Sequence, residues 1–293
     1  MKRRKFLKYS VTMVAAAACS TSFADNRQPY ALGLQLYTIR DALSKDVKGT
    51  LKKISEYGYR EVEIYGYDGK FYGYDPSDFK TLLNDLNLKS PSGHFDLNKF
   101  FTPGSGNEEL VRYTDLCISG AEKLGQTYIV WPWLDPSMRD AESFKKLIDQ
   151  LNLIGERITA AGLKFAYHNH NFEFVDHDGL MLYDLLLQRT DPAIVRLELD
   201  LYWASYMKQD LTELFRKNPG RFELWHLKDR DRKDPDLHTF MGNGDIDFQA
   251  ILPLAHAAGV RHMYVEQGNN YIPNDMACVQ KSAKYVKEYL LKG

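Results

Sequence analysis

The sequence predicts an α/β fold, a single-domain (β/α)8 barrel, from three observations. From residue 31 onward, short runs rich in β-branched and aromatic residues alternate with segments of helical period. That alternation is the pattern of parallel strands joined by crossover helices. About eight such units follow one another in roughly 250 residues, the number and size of a closed barrel. No Gly-x-Gly-x-x-Gly follows a strand, so an open dinucleotide-binding sheet lacks its fingerprint.

The elements follow in order. Residues 31–39 (ALGLQLYTI) read as the first strand and 47–57 as the first helix. Residues 61–65 (EVEIY) are the second strand. The next helix opens at Pro76-Ser77-Asp78, where a proline in the first turn gives up an N–H that has no partner anyway. A poorer strand spans 90–97 with Pro91 inside it, helix 108–124 follows, and 127–133 (TYIVWPW) is the fourth strand. The long amphipathic helix 140–161 stops at Gly162. Strand 164–169 leads to helix 180–188, strand 195–201 to helix 211–217, and strand 222–227 to helix 248–258. Strand 262–266 leads to the closing helix 276–291. No composition break marks a second domain in 25–293.

The first 24 residues stand apart from this pattern. Arg3-Arg4-Lys5-Phe6-Leu7-Lys8 precedes a short apolar run from Val11 to Ala18, and Ser22-Phe23-Ala24 supplies small residues suited to cleavage. This reads as a twin-arginine export signal over 1–24, with periplasmic destination. The apolar run is far short of the ~20 residues of a membrane-spanning helix. Cys19 is a weaker candidate for lipid attachment, so membrane association is expected only through the leader or that cysteine.

The whole chain of 293 residues carries a net charge of -1 and is 44% apolar, enough to bury a core. Removal of residues 1–24 takes away five basic residues and no acidic one, leaving 33 Lys and Arg against 39 Asp and Glu, about -6. That excess lacks the electrostatic footprint of a nucleic-acid binder. Cys117 and Cys278, the two remaining cysteines, form no disulfide framework and read as buried thiols, although one bridge is compatible with export.

In such a barrel chemistry collects at the C-terminal ends of the strands. The strand ends here carry Gln35 and Tyr37; Glu63; His94; Trp131 and Trp133; His168 and His170; Asp200 and Trp203; His226 and Lys228; and Glu266. Side chains at i and i+2 share a face of a strand, so His168 pairs with His170 and His226 with Lys228. Convergence of His168, Asp200, His226 and Glu266 would make a mixed nitrogen and oxygen site. Such a site suits Mn²⁺, Co²⁺ or Zn²⁺ better than Mg²⁺, which prefers oxygen. Taken singly, a strand-end histidine is more often structural, Asp200 a turn cap and Glu266 a surface carboxylate; the four together argue otherwise. Glu63 and His94, from the other half of the barrel, are expected to contact substrate or brace the rim. Tyr37, Trp131, Trp133 and Trp203 suit the C–H faces of a sugar ring or simple packing. Glu173, beyond the fifth strand, is either an acid/base or a loop residue.

Val62-Glu63-Ile64, Tyr167-His168-Asn169-His170, Asp200 with Trp203, His226-Leu227-Lys228-Asp229, Gly242-Asn243-Gly244-Asp245 and Val265-Glu266 occur in this order. With them the chain resembles the xylose isomerase-like barrel superfamily, the sugar phosphate isomerase/epimerase group, over nearly all of its mature length. The resemblance implies a divalent metal held at the positions of His168, Asp200, His226 and Glu266. Ketose 3-epimerases of the family resemble this chain except that they carry Glu at the position of His168, where it is a ligand and one of two bases. The Tyr-His-x-His pattern is closer to inosose dehydratase-like and 3-keto-glycoside-processing members.

The implied chemistry is proton abstraction α to a carbonyl of a free or keto sugar, ending in isomerisation or in β-elimination or hydration. Glu266 is the first expected base, with His170 and Glu173 next and Lys228 or His170 as acid. A non-catalytic sugar-binding barrel of the envelope is the alternative. Homo-oligomerisation is left open.

Overall fold

The structure is a computed structural model that describes residues 30–101 and 106–291; the expected export signal over 1–24, with Cys19, falls outside the described residues. Eight parallel strands close on themselves among the described residues. They are β1 (Gly33–Gln35), β2 (Glu61–Tyr65), β3 (Ser92–His94), β4 (Tyr128–Trp131), β5 (Lys164–His168), β6 (Val195–Asp200), β7 (Leu224–Leu227) and β8 (His262–Val265). Each pairs in parallel with its neighbour in sequence, and β1 closes the ring on β8 through Gly33 opposite Tyr264. This is the single-domain (β/α)8 barrel expected from the alternation of elements.

The period of two splits every strand between two environments. Val62, Ile64, Ile129, Trp131, Phe165, Tyr167, Leu197, Leu199, Trp225, Met263 and Val265 join one large core between the barrel and its helices. Inside the barrel a smaller cluster of Tyr128, Val130, Ala166, Leu224 and Tyr264 fills the middle. Glu223 closes the N-terminal end, bonded to Tyr128 at 2.5 Å, Lys164 at 2.6 Å and Arg196 at 2.9 Å. Polar groups therefore collect at the other end, above the apolar plug.

The crossover helices follow the apolar spacing closely. Helices Val47–Tyr57, Glu108–Leu124 and Leu211–Lys217 have the expected bounds. Asp140 caps Ala141–Ala160 by accepting from the N–H groups of Glu142 and Ser143.

Four elements differ from expectation for local reasons. β1 stops at Gln35 because its side-chain oxygen accepts from Tyr37 N and turns residues 36–39 into a 3-10 helix. β3 is short because Pro91 has no N–H, and its carbonyl accepts from Thr127 and Tyr128 instead. Pro253 breaks 248–258 into Phe248–Ile251, a 3-10 turn and Ala255–Ala258. The closing helix Asp275–Tyr285 relaxes into a π-turn over Val286–Leu290. Cys117 and Cys278 are both buried free thiols.

Candidate metal and active site

Above the apolar plug, the inward positions of β2, β3, β6 and β7 are Glu63, His94, Glu198 and His226, and all but His94 are fully buried. One step higher stand His168, Asp200, Lys228 and Glu266. Ligand atoms of His168, Asp200, His226 and Glu266 all lie within 4.8 Å of one another. The four residues come from four adjacent strands, so the convergence follows from ring closure.

Each imidazole is oriented. Nδ1 of His168 faces the Pro132 carbonyl at 3.1 Å. If it donates there, Nε2 carries the free lone pair. That Nε2 is buried without a well-formed hydrogen bond, 3.5 Å from Asp200 Oδ2. Nδ1 of His226 faces Glu266 at 2.8 Å, and its Nε2 faces Glu63 at 2.7 Å. An orphaned buried imidazole nitrogen beside two carboxylates is a set of donors that fits a divalent ion of the Zn²⁺ or Mn²⁺ kind.

Lys228 completes the charge balance. Its ammonium lies 2.7 Å from Asp200 and 2.8 Å from Glu266. Burial alone would lower this ammonium, yet the two carboxylates outweigh burial and raise it. Burial likewise opposes ionisation of Asp200 and Glu266, but Lys228 and the imidazoles hold both carboxyls below their usual range. Burial together with the positive field of Lys228 and the neighbouring His168 pushes His170 well down, so its imidazole is neutral near pH 7. Its Nδ1 is buried without a partner.

A cavity of about 600 Å³ opens over this end, walled by Tyr37, Trp133, His94, His168, His170, Lys228 and Glu266 among others. Its size suits a small molecule of sugar dimensions. Tyr37 is 43% exposed, free to meet a ligand. Trp203 flanks the site, its ring 5.9 Å from His170 and 5.8 Å from the Lys228 ammonium.

Three expectations require correction. Trp131, expected at the sugar-binding rim, is wholly buried on the outer face of β4, edge-on to Phe101, and its indole N–H donates to the Trp133 carbonyl. Its neighbours Tyr128 and Val130 take the inward positions, and alternation sends Trp131 the other way. Glu63 lies one layer below the cavity, held by Gln35, Ser92 and His226 rather than presented to a ligand. Glu173 is fully buried and accepts from the Tyr167 hydroxyl and the His170 N–H at 2.8 Å each. Because Tyr167 points outward from the barrel, Glu173 fastens the turn that carries His170 instead of facing the cavity.

Two strand-end residues to which the sequence assigned no role belong to the site. Glu198 bonds His94 at 2.6 Å and lies 3.4 Å from His226; its place two residues before Asp200 on one strand marks it as inward. Asp229 accepts from the N–H groups of Gly242 and Gly244 at 2.9 Å each and pins the Gly-Asn-Gly-Asp loop beside Lys228. A Cβ on Gly244 would lie 2.0 Å from Asp229 Oδ1, so that position requires glycine.

The model of the xylose isomerase-like TIM barrel family matches residues 51–289. The chain belongs to that family. Among curated relatives, the inosose dehydratase of Clostridium perfringens is 28% identical over 165 residues, 50% of this chain and 55% of that protein. The inosose dehydratase of Salmonella typhimurium is 30% identical over 196 residues, 56% of this chain and 62% of that protein. The chain thus spans little more than half the length of these curated relatives. A solved sugar phosphate isomerase/epimerase of Parabacteroides distasonis is 28% identical with a TM-score of 0.78, covering 90% of this chain and 100% of that one. These xylose isomerase-like homologues are sugar-processing enzymes.

Proposed function

We propose that the protein is a divalent-metal-dependent enzyme that removes a proton α to the carbonyl of a keto sugar and eliminates a β-substituent. The observation that carries this reading is the convergence of His168, Asp200, His226 and Glu266 beneath a sugar-sized cavity, with the unpartnered Nε2 of His168 among them. A divalent ion bound there supplies Lewis acidity to a ketone oxygen and its neighbouring hydroxyl.

The chain's own groups supply the rest. His170 is better placed as the base than Glu266. Glu266 Oε2 is already shared between His226 and Lys228, whereas His170 Nδ1 has no partner and its ring borders the cavity. His170 takes the α-proton, the electron pair forms the new C=C bond, and the β-oxygen leaves with a proton delivered by Lys228. Elimination is favoured over two-base epimerisation because an imidazole, His168, stands where the second carboxylate base would be needed. The names of the curated relatives, dehydratases, point the same way.

We also propose export of the chain by its twin-arginine leader, which restricts the substrate to unphosphorylated sugars and keto-glycosides. The test is metal analysis of purified protein dialysed against Mn²⁺, Co²⁺ and Zn²⁺, followed by assays on 3-keto-glucosides and plain ketoses. One retained ion per chain with turnover of the keto-glucosides is expected. Retained sugar binding without metal or turnover would establish the non-catalytic barrel instead.

A further inference from the structure

His226 faces two acidic clusters at once. Nδ1 looks up to Glu266, and Nε2 looks down to Glu63 Oε2 at 2.7 Å. Glu63 itself cannot turn. Ser92 donates to its Oε1 at 2.6 Å, and Gln35 donates to its Oε2 at 2.8 Å. Gln35 is fixed in turn, since its side-chain oxygen accepts from Tyr37 N and only its NH2 can reach Glu63. The lower group of Glu63, His94, Glu198 and His226 also has ligand atoms within 4.8 Å of one another. Its members are mostly paired: His94 lies 2.6 Å from Glu198 and 3.2 Å from Glu63, and only Glu198 Oε1 is left without a hydrogen-bond partner. A cation there would have to break the His94–Glu198 pair and the contact between His226 Nε2 and Glu63.

We infer that Glu63 is a positioning residue: it receives the Nε2 proton of His226 and so presents the Nδ1 lone pair to the ion beside Glu266. A carboxylate behind a ligating imidazole fixes its tautomer and ring orientation and raises its basicity. The inference rests on the metal-site reading proposed above, and it adds a layer in which Gln35 and Ser92 hold Glu63 and Glu63 holds His226. It also accounts for a buried carboxylate on β2, on the far side of the ring in sequence from the ligand strands.

The test uses Zn²⁺ as the probe, with affinity measured by chelator competition on the full chain. Glu63→Gln is expected to weaken zinc about 10- to 100-fold. Ser92→Ala, which removes one of Glu63's donors and leaves all charges in place, is expected to weaken zinc by a smaller factor. Glu61→Gln breaks the carboxylate–imidazole pair with His262 (2.8 Å) at the opposite end of the barrel and serves as the control for general damage. Its zinc affinity is expected to equal that of the unaltered protein. Nitrogen-15 NMR of the zinc-loaded protein is expected to show His226 protonated at Nε2. Equal zinc affinity in Glu63→Gln and the unaltered protein would overturn the inference, and so would zinc on His226 Nε2. Equal losses in Glu63→Gln and Glu61→Gln would also overturn it. An unaltered protein that binds no zinc would sink the metal reading and this inference together, whereas tight zinc binding indifferent to Glu63 would sink only the inference.

Discussion

Lys228 Nζ lies 2.7 Å from Asp200 Oδ2, with Glu266 Oε2 2.8 Å away on its other side. The single buried ammonium is therefore shared between two of the four expected ligands and offsets part of their charge. Removing one partner of a buried ion pair costs about 3–5 kcal/mol, because the remaining charges lose compensation. Lys228→Met is accordingly expected to lower the stability of the metal-free protein by that order. The same variant is expected to bind divalent ions more tightly, since a competing cation is gone. Denaturant melts with and without Mn²⁺, beside calorimetric titration, check both; unchanged metal affinity would show that Lys228 does not compete for these carboxylates.

His170 and Glu266 are assigned different work, and kinetics separates them. His170→Gln is expected to reduce kcat by roughly 10²–10⁴-fold, the usual contribution of a general base, while keeping its metal. Glu266→Gln is expected to lose metal and turnover together. Metal retention in both variants, with only Glu266→Gln inactive, would return the role of base to Glu266.

Glu173 sets a pH dependence of stability. Burial pushes its carboxyl up to about 7, against an ordinary value of 4.5. The folded state therefore holds a proton that the unfolded state has lost, and Glu173's contribution is full below about 4.5 and declines as pH rises through 7. At 1.36 kcal/mol per unit the decline amounts to at most about 3 kcal/mol. Glu173→Gln, which keeps an acceptor for the His170 N–H, is expected to flatten this decline between pH 5 and 8. Urea unfolding across that range measures it; an unaltered slope would show that another group is responsible.

The Asp229 anchor is sterically exacting. Gly244→Ala places a methyl 2.0 Å from Asp229 Oδ1 and 2.2 Å from the Arg230 carbonyl. The loop must shift and strip two N–H donors from a buried carboxylate, at a cost of about 1–3 kcal/mol for each unsatisfied group. A fall in thermal midpoint with reduced turnover is expected, because the loop is anchored on Asp229, the residue next to Lys228.

The sequence by itself determined the architecture and the chemistry of the strand ends. Strand and helix periods are local properties, so 61–65, 108–124 and 211–217 could be bounded without a partner in view. Alternation also put His168 with His170 and His226 with Lys228 on shared faces. What alternation leaves open is which face of each strand meets the interior, and at what height. Glu63 and His226 are 163 residues apart and meet only because β1 closes the ring on β8. The inward register of β4 took Trp131 out of the site and left Trp133 beside it. The turn after β5 rotated Glu173 toward Tyr167 and away from the cavity. Local pattern says which residues can act. The closure and stagger of the barrel, a sum of non-local backbone pairings, decided which of them reach the candidate metal site, which lie beneath it, and which belong to the core.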